Sequence, residues 1–219
     1  MSSALRFPSG LYGVTPDWHD ASRLESAIVQ AAAGGMTAVQ LRLKNLDSPT
    51  RHDIAKRLLP VCKSLNVPLI INDDWRLALD IDADGVHLGK DDAEPGYVRQ
   101  QLKPSMLLGV SCYSDLARAK QMLEIGVDYI AFGAMFSSGT KPQAPPATLG
   151  VLTEAQTLTS RSQPRPAIVA IGGITTENAA SLLAAGADSV AVVGGLFMTD
   201  DIESTAQRFS ALWPDASSH

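Results

Sequence analysis

The chain has 219 residues, 45% hydrophobic and 19% charged, enough for one large globular domain or two small ones with a sizeable core. A formal net charge of −5 sets the bulk field against nucleic acid and anionic membranes, so an anionic ligand has to be held by local cations, helix ends or a metal. No apolar stretch approaches the ~20 residues that span a bilayer, no signal-peptide run opens the chain, and Cys62 and Cys112 lack metal-ligand spacing, so the expected setting is reduced and cytoplasmic.

Apolar, strand-like runs alternate with helical segments along the chain. Leu11–Thr15 ("LYGVT") is the first strand, and a helix over Ala21–Ala33 follows it and ends at Gly34-Gly35. The second strand, Ala38–Asn45 ("AVQLRLKN"), alternates Val39, Leu41 and Leu43 with Gln40, Arg42 and Lys44. A helix runs through "IAKRLLPVCKSL". Pro68–Asp73 is the third strand, with a short helical "WRLALD" after it, and Gly85–Gly89 is the fourth. Leu107–Cys112 is the fifth, followed by a helix in "SDLARAKQMLEIG". Tyr129–Met135 is the sixth and Ala167–Gly173 the seventh; the helix "TENAASLLAAG" leads to the eighth, Ser189–Gly195, and a last helix covers roughly 201–212.

Strands alternating with helices in this way predict parallel βαβ units. Eight strands with no dividing linker favour a (β/α)₈ barrel occupying residues 1–219 as one domain, with its core at about 11–212, over an open doubly wound sheet. The phrases "AAAGGMTAVQL", "EIGVDYIAFG" and "AAGADSVAVVG" each read as a helix end, a Gly cap and a strand, as repetition of one βα unit requires.

A barrel also makes sense of the polar face of the second strand. Val39, Leu41 and Leu43 would pack under the helices, while Gln40, Arg42 and Lys44 would point inward and climb about 13 Å toward the C-terminal mouth. Two cations there call for a bound polyanion. The competing reading is an edge strand with a solvated face.

Barrel chemistry belongs at the C-terminal ends of the strands. Asn72, Asp73 and Asp74 stand at the third, Lys90, Asp91 and Asp92 just beyond the fourth, and Ser111 at the fifth. Asp73 and Asp92 suit a hard cation such as Mg²⁺, which takes one or two carboxylates and completes its shell with water and phosphate oxygens. Turn and N-cap roles compete with that reading and are preferred for Asp74 and Asp91. Gly172-Gly173 and Val193-Gly194-Gly195 end the seventh and eighth strands, where bare backbone can approach phosphate. The segment Ser137–Gly150 is long and rich in Pro, and Ser138, Thr140 and Lys141 make it a candidate lid over an anion. His87, inside the fourth strand, reads as a hydrogen-bonded core histidine. No nucleophile–base set, dinucleotide fingerprint or phosphate loop stands out.

Taken in order and spacing, "QLRLK", "LIINDD", "GVHLGKDD", "GVSCYS", "SSGTK", "AIGGIT" and "AGADSVAVV" closely resemble the thiamine-phosphate synthase family, over about Leu11–Leu196. The resemblance implies a (β/α)₈ barrel that uses Mg²⁺ to join 4-amino-2-methyl-5-hydroxymethylpyrimidine pyrophosphate to a thiazole phosphate. It assigns Gln40, Arg42, Lys44, Asn72, Ser111 and Lys141 to the pyrimidine pyrophosphate, with Arg42, Lys44, Ser111 and Lys141 as the catalytic contacts. It assigns Asp73 and Asp92 to the metal, and Ser138, Gly139, Thr140, Gly173, Val193 and Gly194 to the thiazole phosphate. Ser138 stands where the family often has Thr, and Gly194 where Ser is common. A related thiazole tautomerase would not need the two aspartates, and a thiamine-phosphate sensor would not need the full cation and carboxylate set. The implied partners are small phosphorylated molecules, not nucleic acid or membrane; a homo-oligomer stays open.

Overall fold

The computed structural model describes residues 4–137, 147–161 and 163–213. Eight parallel strands close in sequential order into a barrel: β1 (Gly10–Val14), β2 (Met36–Leu41), β3 (Leu69–Asn72), β4 (Gly85–Leu88), β5 (Leu107–Tyr113), β6 (Tyr129–Phe132), β7 (Ala167–Ile171) and β8 (Ser189–Val192). The helices on its outside are α1 (Ala21–Ala33), α2 (Ser48–Ser64), α3 (Trp75–Ile81), α4 (Pro95–Gln101), α5 (Leu116–Ile125), α6 (Leu149–Thr159), α7 (Ala179–Ala184), the single turn α8 (Gly194–Phe197) and α9 (Ile202–Ser210).

Local sequence explains the helices. α1 buries Leu24, Ala27, Ile28 and Ala31, the 3–4 spacing of one helix face, and the Asp20 carboxylate accepts from the Ser22 and Arg23 N–H groups at its start. α2 begins six residues before the expected "IAKRLL" run, because Asp47 caps it by accepting from Thr50 N at 2.8 Å and Pro49 suits its first turn. α4 and α6 have weaker apolar stripes and went unread in the sequence; Glu94 starts α4 by accepting from the Gly96 and Tyr97 N–H groups.

Two apolar layers result. Between strands and helices lies the large one, which includes Val39, Leu41 and Leu43 as expected from their alternation. Inside the barrel lies a smaller cluster, with Ala38, Ala131, Ala167 and Ala191 leaving room for two rings, Tyr12 and Tyr129, and Phe7 packed edge-on to the first and tilted against the second from the N-terminal segment. Gly109 completes that fit: a Cβ there would lie 1.8 Å from Cζ of Tyr129.

The N-terminal end of the barrel is closed by a repeated device. Asp84, Asp128 and Asp188, each just ahead of an even-numbered strand, accept from Leu69 N, Leu108 N and Ile168 N respectively, all at 2.8 Å. Arg99 pairs with Asp128 at 3.2 Å, and Arg165 forks onto both oxygens of Asp188.

The expected strand ends run too far by two or more residues at four places. β2 stops at Leu41 rather than Asn45, β6 at Phe132 rather than Met135, β7 at Ile171 rather than Gly173, and β8 at Val192 rather than Gly195. In each case the excess residues turn into the loops of the C-terminal mouth. Arg42 N donates to Thr15 Oγ1 and Lys44 N to Asp17 Oδ1, so side chains of the β1 loop hold this backbone in place of a neighbouring strand.

Candidate functional site

At the C-terminal mouth the polar side chains of β2 to β5 stand in neighbouring positions. Gln40 is buried inside the barrel, whereas Arg42 is half-buried and Lys44 exposed beyond the strand end. The inward row of three expected on one strand is therefore one buried amide plus two cations on a loop. A guanidinium and an ammonium so placed keep access to solvent, which lowers the cost of leaving them uncompensated. Asp17 secures this loop with both oxygens, accepting from Lys44 N at 3.0 Å and from the Asn45 side chain. Neither Thr15 nor Asp17 was singled out from the sequence; their contact is made across the β1–β2 pair, which no local pattern displays.

Lys44 Nζ lies 3.3 Å from Asp73 Oδ2. Asp73 follows β3 in a left-handed conformation (φ 65°), which aspartate tolerates better than most residues. Beyond β4, Asp92 folds back so that its Oδ2 accepts from Gly89 N at 2.6 Å. The two carboxyl groups, 19 positions apart in sequence, are close enough for each to influence the other. Burial first and then the Asp73 carboxyl push the Asp92 carboxyl above the usual carboxylate range, while the Gly89 N–H and Lys44 pull it back. Asp74 caps α3 by accepting from Leu77 N, the role preferred for it from sequence. Among the described residues no cluster of three or more His, Cys, Asp or Glu is formed, so any ion held here would rest on this pair and on non-protein oxygens.

Asn72 and Ser111 stand at the ends of β3 and β5. Among the described residues the Asn72 side chain makes no hydrogen bond, and the Arg42 guanidinium has neither ion pair nor hydrogen bond. Ser111 Oγ lies 2.9 Å from His87 Nε2, and its carbonyl accepts from Arg118 Nε, while Arg118 Nη2 donates to Gly89 O at 3.4 Å. Arg118 thus ties the β5 end to the β4 loop that carries Asp92. His87 is the hydrogen-bonded interior histidine expected, 8% exposed, and burial lowers its pKa to about 4. The sequence did not show that its second nitrogen contacts a mouth residue.

On the other side of the mouth, Asn178 clasps the β7 loop, accepting from Thr175 N and donating to Gly173 O, both at 2.9 Å. The glycine at 173 was expected to open backbone toward a ligand. Its φ of 65° and the Phe136 and Ser137 carbonyls 2.7 and 2.8 Å from an added Cβ show that local packing also calls for glycine here. Gly194, which opens α8 after Val193, is different: an added Cβ would meet only Met198 Sδ at 3.7 Å, so its backbone is open. Ser138, Gly139, Thr140 and Lys141 lie outside the described residues.

A paired carboxylate with an ammonium at its edge, an unpaired guanidinium, an unpaired amide and an open glycine turn can together hold a divalent cation and a polyanion. Comparison with known proteins gives the family. Residues 11–196 match the family model described as thiamine monophosphate synthase. The chain is 54% identical over 208 residues to the thiamine-phosphate synthase of Bordetella bronchiseptica, covering 94% of this chain and 96% of that one. It is 47% identical over 204 residues to the thiamine-phosphate synthase of Methylobacillus flagellatus, covering 93% and 95%. Among solved structures it superposes on thiamine phosphate pyrophosphorylase from Pyrococcus furiosus with a TM-score of 0.81 at 27% identity, covering 97% of this chain and 98% of that one.

Proposed function

The chain belongs to the thiamine monophosphate synthase family, and on that premise we propose a division of labour across its mouth in forming thiamine phosphate. It is an enzyme, a transferase of thiamine biosynthesis. Its substrates in this reading are the pyrimidine pyrophosphate and a thiazole phosphate or its carboxylate, and the products are thiamine phosphate and pyrophosphate. Two free, buried cysteines with thiols pushed up to about 12 by burial suit a reduced cytoplasmic setting.

Gln40, Asn72 and Ser111 receive the pyrimidine pyrophosphate from inside the barrel rim, and Arg42 and Lys44 take its diphosphate. Val193 and Gly194 offer the thiazole phosphate backbone at the β8 end, where the open face of Gly194 supports close approach. Gly173 shapes the adjoining turn. Asp73 and Asp92 fit Mg²⁺, because two neighbouring carboxylates supply hard oxygen ligands and leave the remaining positions to water and phosphate. Bound there, Mg²⁺ would neutralise charge on the diphosphate oxygens.

The chemistry fits a dissociative substitution. The bond between the pyrimidine methylene carbon and the diphosphate oxygen breaks, and the electron pair leaves with the diphosphate. Arg42, Lys44 and Ser111 donate to the growing negative charge. The 4-amino group of the pyrimidine spreads the positive charge left on the methylene carbon. The thiazole nitrogen, held close by its phosphate, donates its lone pair to that carbon and becomes the thiazolium. No strong general base stands at the mouth among the described residues, and this sequence of bond changes needs none.

The observation that carries the reading is the Arg42 guanidinium, without a partner among the described residues, on the same loop as Lys44, whose ammonium lies beside Asp73. Purified protein given both substrates and Mg²⁺ should release pyrophosphate and thiamine phosphate in equal amounts. Isomerisation of the thiazole without joining would mark a tautomerase, and tight thiamine-phosphate binding without turnover a sensor; either result would refute the proposal.

A further inference from the structure

A single hydrogen-bonded chain crosses the barrel interior beneath the mouth and joins two of the residues assigned above to the pyrimidine pyrophosphate. Gln40 Nε2 donates to Tyr12 Oη at 2.8 Å. Tyr12 Oη lies 2.9 Å from Tyr129 Oη, which lies 3.0 Å from His87 Nδ1, and His87 Nε2 lies 2.9 Å from Ser111 Oγ. Tyr12, Tyr129 and His87 are almost fully buried, so water does not substitute for a missing partner.

Proton counting gives the chain a direction. Tyr12 Oη already accepts from Gln40, and among the described residues its own proton has one hydrogen-bond acceptor, Tyr129 Oη. The Tyr129 proton then has one acceptor, His87 Nδ1. Both phenols are held protonated, since burial raises the pKa of each. With Nδ1 accepting, a neutral His87 carries its proton on Nε2 and donates to Ser111 Oγ. Were Tyr129 instead to donate to Tyr12, the Tyr12 proton would be buried without an acceptor, which is unfavourable. Ser111, whose hydroxyl oxygen is occupied as an acceptor, keeps its own proton to give outward.

We infer that His87 is a positioning residue, and that the Gln40–Tyr12–Tyr129–His87 relay fixes Ser111 as a hydrogen-bond donor aimed at the diphosphate of the bound substrate. The inference rests on the reading of the mouth as a diphosphate site. Ser111 on its own could turn its proton toward His87 and face an anion with lone pairs; the relay forbids that orientation before the substrate arrives. Gly109 belongs to the same device, because only a residue without Cβ admits the Tyr129 ring at this depth.

The test has two parts. In the full-length protein labelled with ¹⁵N-histidine, the His87 resonances, identified by their loss in His87→Gln, should show the proton on Nε2. Tyr129→Phe, or Tyr12→Phe one link further on should Tyr129→Phe not fold, should lower the Nε2–H population. Next, inorganic pyrophosphate is titrated with Mg²⁺ into wild type, Tyr129→Phe, Ser111→Ala and the double variant. Each single substitution should weaken binding about tenfold, the scale of one hydrogen bond to a charged group. The double variant should be no weaker than Ser111→Ala alone, because Tyr129 acts through Ser111. A proton on Nδ1 in wild type, or losses that multiply in the double variant, would overturn the relay. Failure of the wild type to form thiamine phosphate would remove the functional reading instead, while tautomer and titration would still judge the relay.

Discussion

At the N-terminal end of the barrel Asp84, Asp128 and Asp188 each accept a backbone N–H from the neighbouring strand, and Arg99 and Arg165 complete two of the three. At the C-terminal end Arg42 and Asn72 have no side-chain partner among the described residues, and Lys44 reaches Asp73 at 3.3 Å with half its surface in solvent. Polar groups of similar kind thus serve opposite ends. Those below are satisfied internally and set strand register, so their loss should be felt in folding. Those above have unmet hydrogen-bonding capacity, so their loss should be felt in ligand binding and rate.

The sharpest way to break this contrast is at its lower end. Asp188→Ala removes the acceptor for Ile168 N and for the Arg165 fork, and should cost about 3–5 kcal/mol in stability. Substrate KM should stay unchanged at temperatures where the variant is folded. Denaturant titration checks the first and steady-state kinetics the second; a stable variant with altered KM would reverse the assignment.

A pH titration of stability probes the interior that separates the two ends. His87 has its pKa lowered by burial from 6.5 to about 4. Above pH 6.5 it is neutral in both folded and unfolded chains, and its contribution is fully present. As pH falls from 6.5 to about 4 the unfolded chain takes up the proton and the folded chain does not, so stability is lost, by roughly 3 kcal/mol over the window. His87→Gln should lack that slope, and equal slopes in the two proteins would contradict the buried neutral state.

Gly109→Ala should cost about 1–3 kcal/mol by crowding the Tyr129 ring, again read by denaturant titration. An alanine variant as stable as wild type would mean the ring is free to move aside. The smallest expected change is at the upper end. Asn72→Ala should lower kcat/KM about tenfold, the worth of one lost hydrogen bond to substrate, while stability stays within about 0.5 kcal/mol.

How much of this was legible in sequence follows the range of the forces involved. Alternation of Val39, Leu41 and Leu43 with polar neighbours gave the outward face of β2, and the alternation of strand-like and helical runs gave the parallel architecture, because both are local patterns. Asp74 as a cap and His87 as a bonded interior histidine were readable for the same reason. The hydroxyls of Tyr12 and Tyr129 were not: each lies in an apolar run, 117 residues from the other, and only barrel closure brings them within 2.9 Å. The strand ends at Leu41, Ile171 and Val192 were overrun because apolar and glycine residues continue past the point where the backbone turns into the mouth. Gly173 was read as a bare approach to a ligand; that the Phe136–Ser137 carbonyls pack where its Cβ would stand was not legible, because that contact spans the loops. Asp73 and Asp92 were read as neighbours from their places on adjacent strand ends, and the Asp73 carboxyl helps raise the pKa of Asp92.

The claim on which the functional account depends is that the unpaired Arg42 serves a departing diphosphate and not the fold. Its most direct test is Arg42→Ala assayed for single-turnover pyrophosphate release with both substrates and Mg²⁺, alongside thermal unfolding. The account predicts a rate lowered about a hundredfold, the scale of one lost transition-state contact, with the melting temperature unchanged. Release at the wild-type rate would contradict it, as would a loss of activity explained by a protein that no longer folds.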